Sequence, residues 1–146
     1  MLYKGYVETK GNASIEKLKN RTTWKTYDEV KNLNGFGGVL ADDTILIDID
    51  DSEQSEILMN IVEELQLDCQ VLCTSRGKHF LFKNRTIARN RTHVQLAVGL
   101  TADIKVGSKL SYEVIKIDGE ERFCEWDIEE GGKYQEVPGQ GNRRLC

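Results

Sequence analysis

The sequence has 146 residues, of which 39% are hydrophobic and 30% are charged, and its formal net charge is −4. This length suits one domain with a buried core, and the composition excludes a fibrous or generally disordered chain. The acidic balance of the whole chain argues against a nonspecific nucleic-acid coat or a membrane-surface peptide. The charge is nevertheless segregated: residues 41–70 contain ten acidic and no basic residues, whereas residues 71–116 contain nine basic and two acidic residues.

Residues 1–35 are predicted to be peripheral and helical. Thr26 and Glu29 have the spacing of a capping box, which predicts a short helix after Thr26. The glycines in the stretch Asn34-Gly35-Phe36-Gly37-Gly38 lack the spacing of dinucleotide-binding and P-loop motifs, so they favour a plain turn that leads into a strand.

Two apolar, β-branched stretches on either side of an acidic turn predict a β-hairpin made by residues 39–41 and 44–50. Asp51 or Ser52 is expected to cap the helix that follows. The apolar residues of this helix repeat at helical period, and they predict one buried stripe made of Ile57, Leu58, Ile61, Val62 and Leu65.

The remainder of the chain is predicted to be mostly strands. Residues 70–74 and 78–82 form two of them, joined by a turn, and residues 83–93 are so basic and polar that they predict an exposed loop. Further strands are expected at 94–98, 102–105, 112–117 and 122–126. The glycine-rich residues from 129 onward are expected to fray.

A pair of carboxylates at the end of an apolar strand carries the first chemical signal. Residues two apart in a strand face the same side, so Asp48 and Asp50 are expected to project together. Two such carboxylates repel each other and resist desolvation, and a divalent cation such as Mg²⁺ or Mn²⁺ relieves both effects. The alternative is that both acids lie at a solvated strand end beside a helix cap.

Asp103 is an isolated acid within the basic segment. It is bracketed by apolar residues, and Lys105 is expected on the same face of the strand. Asp103 either completes a metal site with the carboxylate pair or forms an ion pair with an arginine.

The turn near residue 76 carries candidates for phosphate binding. Gly77 permits a sharp turn, Ser75 supplies a hydroxyl, and Arg76, Lys78 and His79 can donate hydrogen bonds to phosphate oxygens. His79 is expected on the strand face opposite Lys78. A single histidine on such a face is more often a hydrogen-bonded core residue than a ligand.

In their order and spacing, these three segments resemble motifs of the archaeo-eukaryotic primase superfamily. The segments are Ile47-Asp48-Ile49-Asp50, residues 74–82 (TSRGKHFLF) and Ala102-Asp103-Ile104-Lys105. The chain is most similar to the primase-polymerase domains of phages, plasmids and integrated elements, and the resemblance covers roughly residues 36–117. The sequence departs from the family pattern at Arg76, where a second glycine is common.

The resemblance implies an α+β fold in which an RNA-recognition-type, mixed and mostly antiparallel sheet with packed helices joins a small α/β unit. It implies that two catalytic Mg²⁺ or Mn²⁺ ions are held by Asp48, Asp50 and Asp103. It also implies that Ser75 and His79 contact the triphosphate of the incoming nucleotide. Further candidates for nucleotide binding are Arg76, Lys78 and Lys105. The basic loop supplies candidates for nucleic-acid binding, namely Arg85, Arg89 and Arg91.

The function that the resemblance implies is metal-dependent nucleotidyl transfer by a DNA primase/polymerase-like domain of a phage or mobile-element replication protein. Such a domain adds nucleotides to a primer or initiates one on a DNA template. The expected partners are template, primer and nucleoside triphosphates, with a separate replicative helicase as a further candidate. One domain is expected over residues 1–138, with a flexible tail at 139–146.

No membrane partner is expected. The sequence has no apolar run near the length of a membrane span, and its N-terminus lacks the apolar core of a signal peptide. The expected location is therefore the cytoplasm of a bacterial host cell.

Two other functions remain open at this point. One is a catalytically weak or inert module on the same fold, which binds nucleic acid or protein as a phage regulator or inhibitor. The other is a metal-dependent nuclease, which needs the same acids but not the motif from Ser75 to His79.

Overall fold

The computed structural model describes residues 1–83, 90–96 and 99–127. In this part of the chain the fold is α+β, with two α-helices, one 3₁₀ turn and two sheets built from antiparallel pairs. The elements in chain order are β1 (Tyr3–Lys10), β2 (Ala13–Ser14), α1 (Tyr27–Val30), β3 (Phe36–Leu40), β4 (Thr44–Ile49), α2 (Ser52–Leu65), β5 (Gln70–Cys73), β6 (Lys78–Lys83), β7 (Arg91–Gln95), β8 (Thr101–Val106), the 3₁₀ turn (Gly107–Lys109), β9 (Tyr112–Ile117), β10 (Glu120–Glu121) and β11 (Cys124–Trp126).

The described residues group into two compact units. The first unit consists of the described parts of 1–45, 83–90 and 105–122, and the second consists of those of 46–82, 91–104 and 123–146. The tail predicted at 139–146 lies outside the described residues, as does most of the basic loop predicted at 83–93.

The first unit contains a five-stranded sheet with the strand order β10-β9-β3-β1-β2. The prediction that residues 1–35 are peripheral and helical is wrong, because β1 lies inside this sheet and pairs with β3. Its Tyr, Val and Thr residues favour a strand, and Val7 and Thr9 are buried on one of its faces. The capping box is confirmed: Thr26 caps α1 through Glu29, although the helix is only one turn long.

Glu16, which follows β2 in the chain, accepts hydrogen bonds from three donors. Its carboxylate accepts hydrogen bonds from the Lys25 ammonium at 2.6 Å, from the Arg21 guanidinium at 2.8 Å and from the backbone N–H of Glu8. Burial alone would raise the pKa of Glu16, but these donors outweigh it and lower the pKa from 4.5 to about 2. The carboxylate therefore stabilises the folded chain only while it is charged.

We expect Glu16→Gln to lower the free energy of unfolding by about 2 kcal/mol at neutral pH, as for hydrogen bonds to a charged group. Because the folded pKa lies below the unfolded one, this contribution is complete above pH 4.5 and is lost as the pH falls towards 2. Denaturant unfolding between pH 7 and pH 3 measures the difference between wild type and variant. The exposed residue Glu120 provides the control Glu120→Gln, and a difference for Glu16→Gln that stays constant with pH would contradict the assignment.

The second unit contains most of a six-stranded sheet with the order β11-β5-β6-β4-β8-β7. Its core includes Met59 and Val62 from α2, together with Phe80 and Trp126 from the sheet. The indole N–H of Trp126 is satisfied by a 2.9 Å hydrogen bond to the carbonyl of Leu67. This packing fixes the helix and the strands that carry the candidate site.

The hairpin predicted from residues 39–41 and 44–50 is wrong. Both strands form, but β3 lies between β1 and β9, whereas β4 lies between β6 and β8 in the other sheet. Two glycines of β3 permit the close approach of its neighbours, because a Cβ on Gly37 would lie 2.7 Å from the Glu113 carbonyl oxygen and one on Gly38 would meet the ring of Tyr3 at 2.4 Å. Neighbouring groups from β9 and β1 occupy the space that side chains would need.

The predicted cap of α2 is confirmed, since the Asp51 carboxylate accepts a hydrogen bond from the Gln54 N–H at 2.8 Å. The predicted apolar stripe is only partly correct. The fully buried positions are Ser55, Met59 and Val62, whereas Ile57 is 48% and Leu65 is 63% exposed. The buried face thus follows the i, i+4, i+7 row from residue 55, and Ile57 lies off that row.

The hairpin of β5 and β6 is confirmed, with Cys73 opposite Lys78. The later strands form close to their predicted positions, although β7 begins at Arg91 rather than at Val94 and β11 begins at Cys124 rather than at Arg122. The two-residue strand β10, just before it, was not predicted. Among the described residues, no helix is long and apolar enough to cross a membrane.

Candidate functional site

Asp48, Asp50 and Asp103 line one cavity of about 280 Å³ in the second unit. Asp48 lies on β4, Asp50 follows directly after that strand, and Asp103 lies on the neighbouring strand β8. The other lining residues are Asp51, Gln54, Thr101 and Ala102. The cavity is therefore built from the end of β4, the first turn of α2 and the first half of β8.

A tight turn between β5 and β6 lies against this strand end. The backbone N–H of Thr74 donates to the Gly77 carbonyl at 3.0 Å, and the Gly77 N–H donates to the Thr74 hydroxyl at 3.1 Å. A Cβ on Gly77 would lie 1.9 Å from the carbonyl oxygen of Ile49 and 3.0 Å from the N–H nitrogen of Asp51. The glycine therefore lets the turn and the acidic segment touch through their backbones.

Two ion pairs join the basic turn and β6 to the carboxylates. Arg76 Nη2 lies 2.8 Å from Asp50 Oδ2, and His79 Nε2 lies 3.1 Å from Asp48 Oδ1. The Arg76 pair is largely exposed, whereas the His79 pair is mostly buried. Asp48 and Asp50 thus each have a basic side chain in direct contact.

Lys78 has a different environment from its neighbour His79. Its ammonium is buried and forms ion pairs with the buried carboxylate of Glu125 on β11 and, at 3.1 Å, with Glu56 on α2. Because successive residues of a strand point to opposite faces, this arrangement agrees with the expectation that Lys78 and His79 face opposite sides. Lys78 does not line the cavity, and its charge is engaged within the fold.

Of the remaining candidates from the sequence, Ser75 and Lys105 are described by the structure and do not line the cavity. Ser75 is exposed at the turn, and Lys105 is exposed on β8 on the same strand face as Asp103. Arg85 and Arg89 lie outside the described residues. Arg91 begins β7, where it pairs with Ile104.

Sequence reasoning missed Gln54 and Thr101 as lining residues. The Gln54 side-chain oxygen accepts a hydrogen bond at 2.8 Å from the Thr101 N–H, so it links the first turn of α2 to the start of β8. The signal was present in part, because a glutamine three residues after a capping aspartate is typical of a helix N-terminus. Nothing in the sequence around Gln54 indicates that its side chain contacts Thr101 on β8.

The donor set fits a hard cation in chemical terms, since Mg²⁺ and Mn²⁺ prefer carboxylate oxygens. Within the described residues, however, no group of three or more His, Cys, Asp or Glu side chains is placed closely enough to hold a metal ion. In this arrangement Asp48 forms an ion pair with His79, and Asp50 forms one with Arg76.

Comparisons of the chain with protein-family models, with curated proteins and with solved structures found no match. The chemistry of the site therefore has to be inferred from its own side chains. Asp48, Asp50 and Asp103 line one cavity, where His79 contacts Asp48 and Arg76 contacts Asp50, an arrangement suited to binding charged ligands.

Proposed function

We propose that this chain is a primase-polymerase-type nucleotidyltransferase domain that works with Mg²⁺ or Mn²⁺. The observation that carries the proposal is that Asp48, Asp50 and Asp103 line one cavity while Arg76 and His79 contact the first two. These groups come from three separate stretches of sequence.

Asp48, Asp50 and Asp103 would hold a divalent cation once their carboxylates move closer together than in this arrangement, and the cation would neutralise phosphate charge and activate the attacking 3′-hydroxyl. The role of the chain is then to position the reactants, because nucleotidyl transfer depends mainly on alignment and electrostatic stabilisation. Asp48 orients the His79 ring through Nε2, which holds this side chain beside the acidic residues of the cavity. Arg76 and Ser75 lie at the turn, where an exposed guanidinium and hydroxyl can reach a triphosphate.

The proposal extends to the surroundings of the site. The second sheet would be the RNA-recognition-type sheet of a primase-polymerase, and the partners would be DNA template, primer, nucleotides and a separate helicase. The place of action would be the bacterial cytoplasm, in the replication of a phage or mobile element. The mainly antiparallel sheet and the carboxylates on neighbouring strands β4 and β8 support this proposal.

The test is to incubate the chain with Mn²⁺, labelled nucleotides and a primed DNA template. We expect primer extension, and we expect Asp48→Ala to reduce its rate at least about 100-fold because a ligand and the partner of His79 are both lost. Asp68→Ala is the matched control, since Asp68 is an exposed acid of the same unit that does not line the cavity. Unchanged extension by a folded Asp48→Ala chain would overturn the proposal, and cleavage of the template would indicate a nuclease instead.

A second candidate is an inert binding module on the same fold. The ion pairs of Asp48 with His79 and of Asp50 with Arg76 favour it, because carboxylates that are already paired with basic groups can serve a structural role. Retention of DNA without extension or cleavage, to the same degree in wild type and Asp48→Ala, would support this candidate.

A further inference from the structure

We propose that Arg76 is an exchangeable counterion of Asp50, which competes with a divalent cation in the free chain and moves to the triphosphate when nucleotide binds. This inference rests on the proposed function and adds a mode of regulation to the same site. Arg76 would thereby couple the binding of metal to the binding of nucleotide.

The competition follows from the position of the guanidinium. Arg76 Nη2 lies 2.8 Å from Asp50 Oδ2, at a carboxylate that lines the cavity. A cation that approaches this carboxylate meets a positive group at contact distance, and the repulsion between them weakens cation binding. Even with the screening expected at an exposed site, two positive groups about 5 Å apart lower the affinity on the order of tenfold.

The exchange is easy because the ion pair is exposed. The Arg76 side chain is 76% exposed and that of Asp50 is 52% exposed, and ion pairs of this kind contribute little to stability. The more buried pair of His79 with Asp48 is less readily replaced. Arg76 therefore has the properties of a displaceable group, whereas His79 has those of a fixed one.

Only the Arg76 side chain has to move in this exchange. The turn itself is held by the two hydrogen bonds between Thr74 and Gly77 and by the close backbone approach of Gly77 to Ile49. A triphosphate offers several charged oxygens and two-point hydrogen bonding, so a guanidinium prefers it to one exposed carboxylate. Departure of Arg76 then leaves the Asp50 carboxylate available to the cation.

The coupling has to act in both directions. If nucleotide binding removes Arg76 from Asp50, the affinity for the cation rises, and cation binding at Asp50 raises the affinity for nucleotide by the same factor. Without Arg76, the cation and the nucleotide would bind more independently of each other.

The experiment measures Mn²⁺ binding by electron paramagnetic resonance, with and without a nonhydrolysable nucleoside triphosphate. We expect Arg76→Gln to bind Mn²⁺ about tenfold more tightly than wild type when nucleotide is absent, and to lose most of the increase that nucleotide causes. Arg76→Lys keeps the charge, so its affinity for Mn²⁺ in the absence of nucleotide should resemble that of wild type. Lys17→Gln, at an exposed position of the first unit, changes the net charge equally and should leave Mn²⁺ binding unchanged.

Asp50→Asn separates this inference from the proposed function. If Asp50→Asn weakens Mn²⁺ binding and extension but Arg76→Gln binds Mn²⁺ no more tightly than wild type, the exchange is overturned and the function stands. If wild type and Arg76→Gln both fail to bind Mn²⁺, both proposals are overturned. Tight binding by Arg76→Gln alone, with weaker binding by Asp50→Asn, supports the exchange.

Discussion

Replacing Gly77 by alanine is expected to lower the free energy of unfolding by about 4 kcal/mol and to reduce the rate of primer extension about 100-fold. The added Cβ would lie 1.9 Å from the Ile49 carbonyl oxygen. This oxygen belongs to the backbone, so the overlap cannot be relieved by rotation of a flexible side chain. The turn has to move by about 1 Å or more to relieve the overlap. A displacement of this size at a group that binds a reactant costs on the order of 100-fold in rate.

Gly99→Ala provides the matched control in the same unit. Gly99 has φ +79°, and among the described residues no atom beyond its chain neighbours lies within 4 Å of the place that a Cβ would take. Its replacement therefore introduces backbone strain without a clash, and we expect it to cost about 1–2 kcal/mol. Denaturant unfolding and extension assays compare the two variants, and equal losses for both would show that contact with Ile49 does not determine the effect at Gly77.

The positions of Asp48, Asp50 and Asp51 at the cavity could be predicted from sequence because their signals are local. Alternation in a strand puts Asp48 and Asp50 on one side, and the capping position of Asp51 follows from the helix pattern. The approach of Asp103 required the order of the strands, which was inferred from a resemblance rather than from the residues themselves. The structure places β8 next to β4, so all three acids line one cavity.

Strand partners and buried charges could not be predicted in the same way. The stretch that became β3 is apolar throughout, and nothing local indicates that it pairs with β1 and β9 rather than with β4. Lys78 has a similar ambiguity: it lies beside basic residues in the sequence, but its carboxylate partner Glu125 is 47 residues away. Long-range pairing decides both cases, and a single sequence does not display it.

The ion pair of Lys78 with Glu125 carries the second large prediction. Lys78→Met is expected to lower the free energy of unfolding by about 3–5 kcal/mol, because it leaves the buried carboxylate of Glu125 without its ammonium partner. Lys78→Met combined with Glu125→Leu removes both charges and keeps similar volumes. This double variant should regain most of the lost stability, since apolar replacements of a complete buried pair are often neutral.

The same double variant tests whether Lys78 binds nucleotide, as the sequence suggested. The Lys78 ammonium is buried between Glu125 and Glu56, so we expect nucleotide affinity in the refolded double variant to stay within about twofold of wild type, a change too small to represent a lost phosphate contact. Denaturant unfolding and nucleotide titration on the same samples measure both quantities. A tenfold loss of nucleotide affinity in a fully stable double variant would show that Lys78 binds nucleotide after all. A double variant no more stable than Lys78→Met would instead show that the buried pair is not the source of the destabilisation.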